Sequence, residues 1–232
     1  GRGFHSNDAR GTTAKVDPNS GLPISAVSAL AGSQGQEIGV RSQVTPGWQT
    51  TLALWRLDLD SELLYMGDTG NTQATRASRR SGVEWGSHWD ASELWRLDAN
   101  LAWTRPRYLG ADPAGDRIPN AVQNVAHLAI ALRNWGPWSA SLVMRHVGAA
   151  PLTEDNSVRS APTRTANLRV QHKVSSQLEL GMDVLNLTDR KQDEIGYFYT
   201  SRLVGEPAAG VADVHTHPAE PRSVRFTARL RL

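Results

Sequence analysis

Apolar and polar side chains alternate one for one over most of this chain. The pattern is cleanest at the end, where Val224, Phe226, Ala228, Leu230 and Leu232 interleave with Arg225, Thr227, Arg229 and Arg231. A strand sends successive side chains to opposite faces, so this segment has one oily face and one face carrying guanidiniums. A helix would smear both sets around its circumference. The same rhythm recurs upstream. Ile38 and Val40 share a side in 35–45. From Trp48 to about Met66 a long strand is predicted, with Ala53, Trp55, Leu57 and Leu59 opposed to Arg56, Asp58 and Asp60. Val83, Trp85, Ser87 and Trp89 oppose Glu84, Gly86 and His88. Trp95, Leu97, Ala99, Leu101 and Trp103 oppose Arg96, Asp98 and Asn100. Further strands place Leu128, Ile130 and Leu132 against His127 and Arg133, and Ala140, Leu142 and Met144 against Ser141 and Arg145. The last two before the terminal strand set Leu168 and Val170 against Arg169, and Leu180, Met182 and Val184 against Glu179 and Asp183. The sequence predicts an all-β chain of about nine strands, or ten if Gly1 to Asn7 is the tail of another.

The connections alternate as well. Long polar stretches cover 8–34, 67–80, 105–120, 148–163 and 189–220, with a dense turn signal at Val16 to Gly21. Short turns fall at Pro46-Gly47, Asp90 to Glu93, Asn134 to Pro137 and Ser175-Ser176. In an antiparallel up-and-down meander this order sends every tight turn to one end and every long loop to the other. Together with strands of about ten alternating residues, that is the pattern of an outer-membrane barrel. Five of the 8 tryptophans, Trp48, Trp89, Trp95, Trp135 and Trp138, lie in or beside the short turns. An indole favours the headgroup level of a bilayer, so these five form a predicted membrane-interface belt. Arg56, Asp58, Arg96, Asp98, Arg145, Arg169, Asp183, Arg225 and Arg229 are then predicted to face a wet lumen. A sealed core would not hold so many charges, because each unpaired one costs several kcal/mol. The solvated exterior of a β-sandwich would hold them equally well, and a self-closed ten-stranded barrel also fits the count.

Composition narrows the classes. The formal charge is only +2, which argues against a nucleic-acid partner. The 232 residues contain no cysteine, so disulfides and thiolate metal sites are excluded. No apolar run approaches the roughly 20 residues of a spanning helix. Gly1 to His5 does not read as a signal peptide, so an exported protein is expected to start further upstream.

Three stretches carry a resemblance. Asp183-Val184-Leu185-Asn186-Leu187-Thr188-Asp189-Arg190 is similar to the penultimate-strand motif D-V-x-N-L-x-D-R of TonB-dependent outer-membrane receptors. Glu220 to Phe226 resembles the start of that family's last barrel strand. Glu37-Ile38-Gly39-Val40-Arg41 resembles its recurring E-x-G-x-R strand opening. The resemblance implies the C-terminal part of a barrel of roughly 22 strands, residues 1–232, without the N-terminal plug. It implies an outer membrane of a Gram-negative bacterium, outer-membrane lipid as surroundings, and the missing N-terminal strands and plug as partners. The TonB complex would be met only through that plug. The solute would be scarce and small, such as a ferric siderophore, captured by the long outer loops, with the inward arginines favouring an anion. The family usually ends in an aromatic residue, whereas this chain ends in Leu232.

Residues suited to other chemistry are sparse. His215 and His217 share one face of an extended segment near Asp213, a set able to take a metal, although a polar loop explains them as well. Glu154 and Asp155 have no fixed partner carboxylate, and Ser157 and Ser160 have no His or Asp in a recognisable order. No cofactor, no metal and no catalytic residue is expected. An outer-membrane barrel enzyme and a soluble β-sandwich binding module are the alternatives.

Overall fold

The structure is a computed structural model that describes residues 1–7, 12–16, 21–24, 27–61, 63–66, 71–74 and 76–231. The turn signal at 17–20, parts of the predicted loops over 8–34 and 67–80, and Leu232 lie outside these residues.

In chain order the strands are β1 (Arg2–Ser6), β2 (Leu30–Thr45), β3 (Trp48–Leu59), β4 (Leu63–Met66), β5 (Asn71–Ala74), β6 (Ser78–Asp90) and β7 (Trp95–Tyr108). They continue with β8 (Asn124–Trp135), β9 (Trp138–Val147), β10 (Thr163–Lys173), β11 (Leu178–Leu185), β12 (Asp193–Ser201), β13 (Val211–Pro218) and β14 (Ser223–Leu230). Ten of them form one antiparallel meander in the order β1-β2-β3-β6-β7-β8-β9-β10-β11-β14. The sheet is open, with β1 and β14 at its two ends. Among the described residues no helix is long and apolar enough to cross a membrane, which says nothing about strands.

All short connections lie at one end and all long ones at the other. Thr45 pairs with Trp48 around Pro46-Gly47, and Trp135 with Trp138 around Gly136-Pro137, where Gly136 takes φ 57°. The other two short turns share a device. Ser92 Oγ accepts from the backbone N–H of Leu94 and Trp95, and Ser175 Oγ accepts from those of Gln177 and Leu178.

Three predicted elements are corrected. The long strand from Trp48 to Met66 breaks after Leu59, the last residue that pairs with both neighbours, Ser33 of β2 and Ser78 of β6. Beyond it β4 and β5 pair only with each other. The long stretch 189–220 is not plain loop: β12 and β13 form a hairpin rising from the end of the sheet. The loop predicted at 105–120 also starts later, because β7 runs on to Tyr108.

Register fixes the faces. Ile38 and Val40 pair with Leu54 and Leu52, which pair with Val83 and Trp85, which pair with Trp103 and Leu101. Across the rest of the sheet the same face carries Leu128, Leu142, Leu168, Val184 and Val224. Among the described residues no second layer lies on this apolar face: Leu101 is 51% exposed, Trp103 53% and Phe226 76%. That observation removes the sandwich alternative, which requires these side chains to pack against a facing sheet. The small core sits instead at the long-loop end, where Tyr108, Ile118, Ala150 and Leu152 are buried.

Candidate functional site

The face opposite the apolar one carries paired charges. Asp90, at the end of β6, accepts from Arg96 Nε at 2.9 Å and from Arg133 Nη2 at 2.7 Å. His88 meets Asp98 side chain to side chain. Arg169 donates to Asp183 at 2.5 Å, and Arg225 stands opposite Asp183 in register. Arg229 lies 3.5 Å from Glu179, which also accepts from Gln171. Arg145 shares this face opposite His127 and Thr165. Seven of the nine residues predicted for the lumen therefore share one face. Because the acids pair with several of the arginines, the expected preference for an anion is not written into this face by charge alone.

Arg56 and Asp58 are a correction. Their register partners, Ser81 and Arg79 on β6, belong to the row of Val83 and Trp85, so both stand on the apolar face. There they form a cluster: Arg56 donates to Asp58 at 2.7 Å, and Arg79 donates to the same carboxylate at 2.7 Å. In 52–55 Leu, Ala, Leu and Trp leave neither face polar, so alternation within β3 is ambiguous. A slip of one residue exchanges the faces, and only the neighbouring strands decide. Trp55 in turn lies on the charged face, over Gly82 of β6.

The five tryptophans of the predicted belt all stand on the apolar face at the short-turn end. Trp48 and Trp89 are register partners with ring centroids 5.9 Å apart. Trp95 pairs with Leu132, and Trp138 lies 4.1 Å from the His172 ring. Trp135 is 61% exposed.

At the opposite end the long loops are tied together by a residue that sequence reasoning passed over. Arg76 Nη2 donates to Glu154 Oε2 at 2.6 Å and to the Gly115 carbonyl at 2.8 Å, and its guanidinium lies 4.7 Å over the Tyr108 ring. Asp112 is 3.6 Å from Arg76 Nη1. One guanidinium thus joins the connections 60–77, 109–123 and 148–162, because its fork serves several acceptors at once. Backbone bonds from Arg117 to Glu154 and from Asn120 to Pro151 close the same seam. Within 148–162, Asp155 is held at a pKa of about 2 by the Thr153 hydroxyl and by the Ser157 N–H and hydroxyl.

The hairpin is anchored by the D-V-x-N-L-x-D-R stretch. Asn186, 6% exposed and at φ 47°, donates to the carbonyls of Arg190 and Glu220 and accepts from the Arg190 N–H. Its own N–H donates to Asn167 Oδ1. Asp189 pairs with Arg222 at 3.4 Å. The motif fastens the place where the chain leaves β11 to the place where it returns as β14. Between this anchor and β9–β10, a cavity of about 440 Å³ opens on the charged side, with Arg145, Asn167, Gln192, Glu194 and Glu220 in its wall.

On β13, Asp213, His215 and His217 do share one face, opposite Tyr199, Tyr197 and Ile195. His215 stacks on Tyr199 at 3.8 Å and His217 lies 3.6 Å from Glu194. Among the described residues no group of three or more His, Cys, Asp or Glu is arranged to hold a metal.

Comparison with known proteins follows the same lines. A family model described as TonB dependent receptor-like, beta-barrel, matches residues 18–187. No curated protein matches the chain. Among solved structures, the ferric yersiniabactin uptake receptor FyuA from Yersinia pestis superposes with a TM-score of 0.72 at 17% identity, over 99% of this chain and 33% of that one. The copper transporter OprC gives a TM-score of 0.70 at 17% identity, over 99% and 36%. The ferric-catecholate import receptor Fiu from E. coli K12, in its closed form, gives 0.67 at 19% identity, over 93% and 31%. The chain thus spans about a third of the length of each of these structures.

Proposed function

From the premise that this chain belongs to the TonB-dependent receptor-like β-barrel family, we propose that it is the C-terminal part of the barrel of an outer-membrane uptake receptor. The observation that carries the proposal is the apolar face that crosses the sheet, with charged side chains only toward its long-loop end, nothing among the described residues packed over it, and a charged face opposed to it. Hydrocarbon covers the first and water the second. A closed barrel is the only sheet that satisfies every backbone N–H and C=O in lipid. Further strands of the same protein therefore pair with the free edges of β1 and β14. The five tryptophans sit at the interface near the short turns, which face the periplasm. Arg96, Asp98, Arg145, Arg169, Asp183, Arg225 and Arg229 line the lumen.

In this reading the work is transport, not covalent chemistry. The joined outer loops and the β12–β13 hairpin contact the solute on a rigid barrel. A plug outside this chain closes the lumen and answers to the TonB complex. The neighbouring structures are named for ferric chelates and copper. A metal chelate is accordingly the solute class proposed here.

The test is uptake of a labelled ferric chelate by cells producing the full-length protein, with and without the hairpin 193–218. Loss of uptake with normal surface display is expected. Unchanged uptake of every chelate tried, or uptake independent of the TonB complex, would contradict the proposal.

A further inference from the structure

The apolar face is not evenly filled. Around β6–β10 it holds a recess of about 530 Å³. Its floor is Ala99, Ala126 and Ala166, and its walls are Trp85, Leu128 and Met144. Three alanines between longer side chains leave room for a linear hydrocarbon, and the lining is almost wholly apolar. At the long-loop edge of the recess the chemistry changes abruptly: Arg164, Arg190 and His146 stand there.

Several arginines of the sheet are already paired with acids. Arg96, Arg133, Arg169 and Arg229 each have a carboxylate within 4 Å. Among the described residues neither Arg164 nor Arg190 has a carboxylate partner. Arg164 Nε only approaches His146 Nδ1, at 3.4 Å. Both arginines are exposed. Two guanidiniums without anions are a fit for phosphate oxygens, which they bind through forked hydrogen bonds.

The rim also lies at a definite height. His146 is eight residues beyond Trp138 on β9, and Arg164 is its register partner. Eight residues of tilted strand rise by about 20 Å, close to the roughly 25 Å apolar band of such barrels. With Trp138 at one interface, Arg164 stands at the other, at headgroup level. Arg56 is likewise eight residues beyond Trp48.

We propose that this recess seats one acyl chain of a lipid whose phosphate headgroup is held by Arg164 and Arg190. The proposal rests on the membrane reading above and adds to it a fixed lipid position, selective for an anionic headgroup. The occupant is a lipid and not a second copy of the chain, because an apolar recess edged by two arginines without acidic partners matches an acyl chain joined to a phosphate.

The experiment uses the full-length receptor reconstituted with brominated phosphatidylglycerol or brominated phosphatidylcholine carrying the same acyl chains. Fluorescence lost in Trp85→Phe reports the recess, and that lost in Trp135→Phe reports the belt. Phosphatidylglycerol is expected to quench Trp85 several-fold more effectively than phosphatidylcholine at low mole fraction. Arg164→Gln with Arg190→Gln should abolish that preference, and Ala126→Leu, which fills the floor, should reduce quenching by both lipids. Equal quenching of Trp85 by the two lipids, or a preference that survives the arginine changes, overturns the proposal. So does a dimer in native mass spectra that Ala126→Leu dissociates. If Trp135 is quenched by neither lipid, the membrane reading itself fails; if Trp135 is quenched by both and Trp85 shows no preference, only the lipid seat fails.

Discussion

Asn186 shows how much a single side chain does in this fold. It adopts a left-handed backbone, φ 47°, and its side-chain amide makes three hydrogen bonds, two with the Arg190 backbone and one to the Glu220 carbonyl, which ties the two ends of 186–222 together. Alanine would lose all three and still have to adopt the unfavourable φ. Asn186→Ala is expected to cost about 3 kcal/mol, measured as a lowered midpoint of unfolding in urea. Gly82 is constrained differently. A Cβ there would stand 2.7 Å from the Trp103 carbonyl oxygen and 2.8 Å from Trp55 Cζ2. Gly82→Ala is therefore expected to lower the yield of assembled, heat-modifiable barrel, whereas Gly181→Ala, whose Cβ would meet nothing closer than 3.7 Å, should leave far more. At this scale the sequence was partly legible. The Asn186 motif was recognisable by resemblance, but its task of clipping a hairpin shut depends on Glu220, 34 residues away, which spacing alone does not bring near. Arg56 and Asp58 were misassigned because both faces of β3 are oily at 52–55.

Among the elements, the sheet strands were readable and the outer hairpins were not. A strand with one face in oil and one in water alternates cleanly, as β7 and β14 do. β12 reads Asp193-Glu194-Ile195-Gly196-Tyr197-Phe198-Tyr199-Thr200-Ser201, with aromatic residues on both faces, because neither face meets a uniform medium. The loop cluster depends on Arg76, a single arginine in a polar stretch, whose partners lie 39 and 78 residues away. Arg76→Ala should cost about 2 kcal/mol locally, given charge-assisted bonds of that order. Faster amide exchange at Arg117 and Asn120, with the sheet core unchanged, is the expected reading. The loop 148–162 should also respond to acid. Asp155 has its pKa lowered to about 2, so its ionised form stabilises the loop above the unfolded value of about 3.9. That contribution fades as pH falls from about 4 to about 2. Asp155→Asn should flatten the pH dependence of exchange at Ser157 over the same window.

For the whole molecule, the open sheet and its two unlike faces decide everything else. β1 and β14 each leave a row of N–H and C=O groups unpaired at an edge, which attracts other chains in water and is intolerable in lipid. Residues 1–232 produced alone are expected to aggregate, and to give a discrete detergent-soluble species only when the remaining strands of the barrel are supplied. Size-exclusion chromatography of the two preparations checks this. The overall architecture was legible because three independent patterns agreed: side-chain alternation, the long-short order of connections, and tryptophans at the short turns. The joining of the loops was not legible, because it rests on contacts between distant polar segments.

The claim beneath all of this is that one face of the sheet meets hydrocarbon and the other meets water. Nitroxide labels placed one at a time at Asp98, Ala99, Asn100 and Leu101 of β7, in the assembled receptor in a bilayer, test it directly by collision with oxygen and with a water-soluble nickel chelate. Labels at 99 and 101 should be relaxed mainly by oxygen and labels at 98 and 100 mainly by nickel, with a period of two. Uniform relaxation along the strand, or nickel dominating at 99 and 101, would contradict the account.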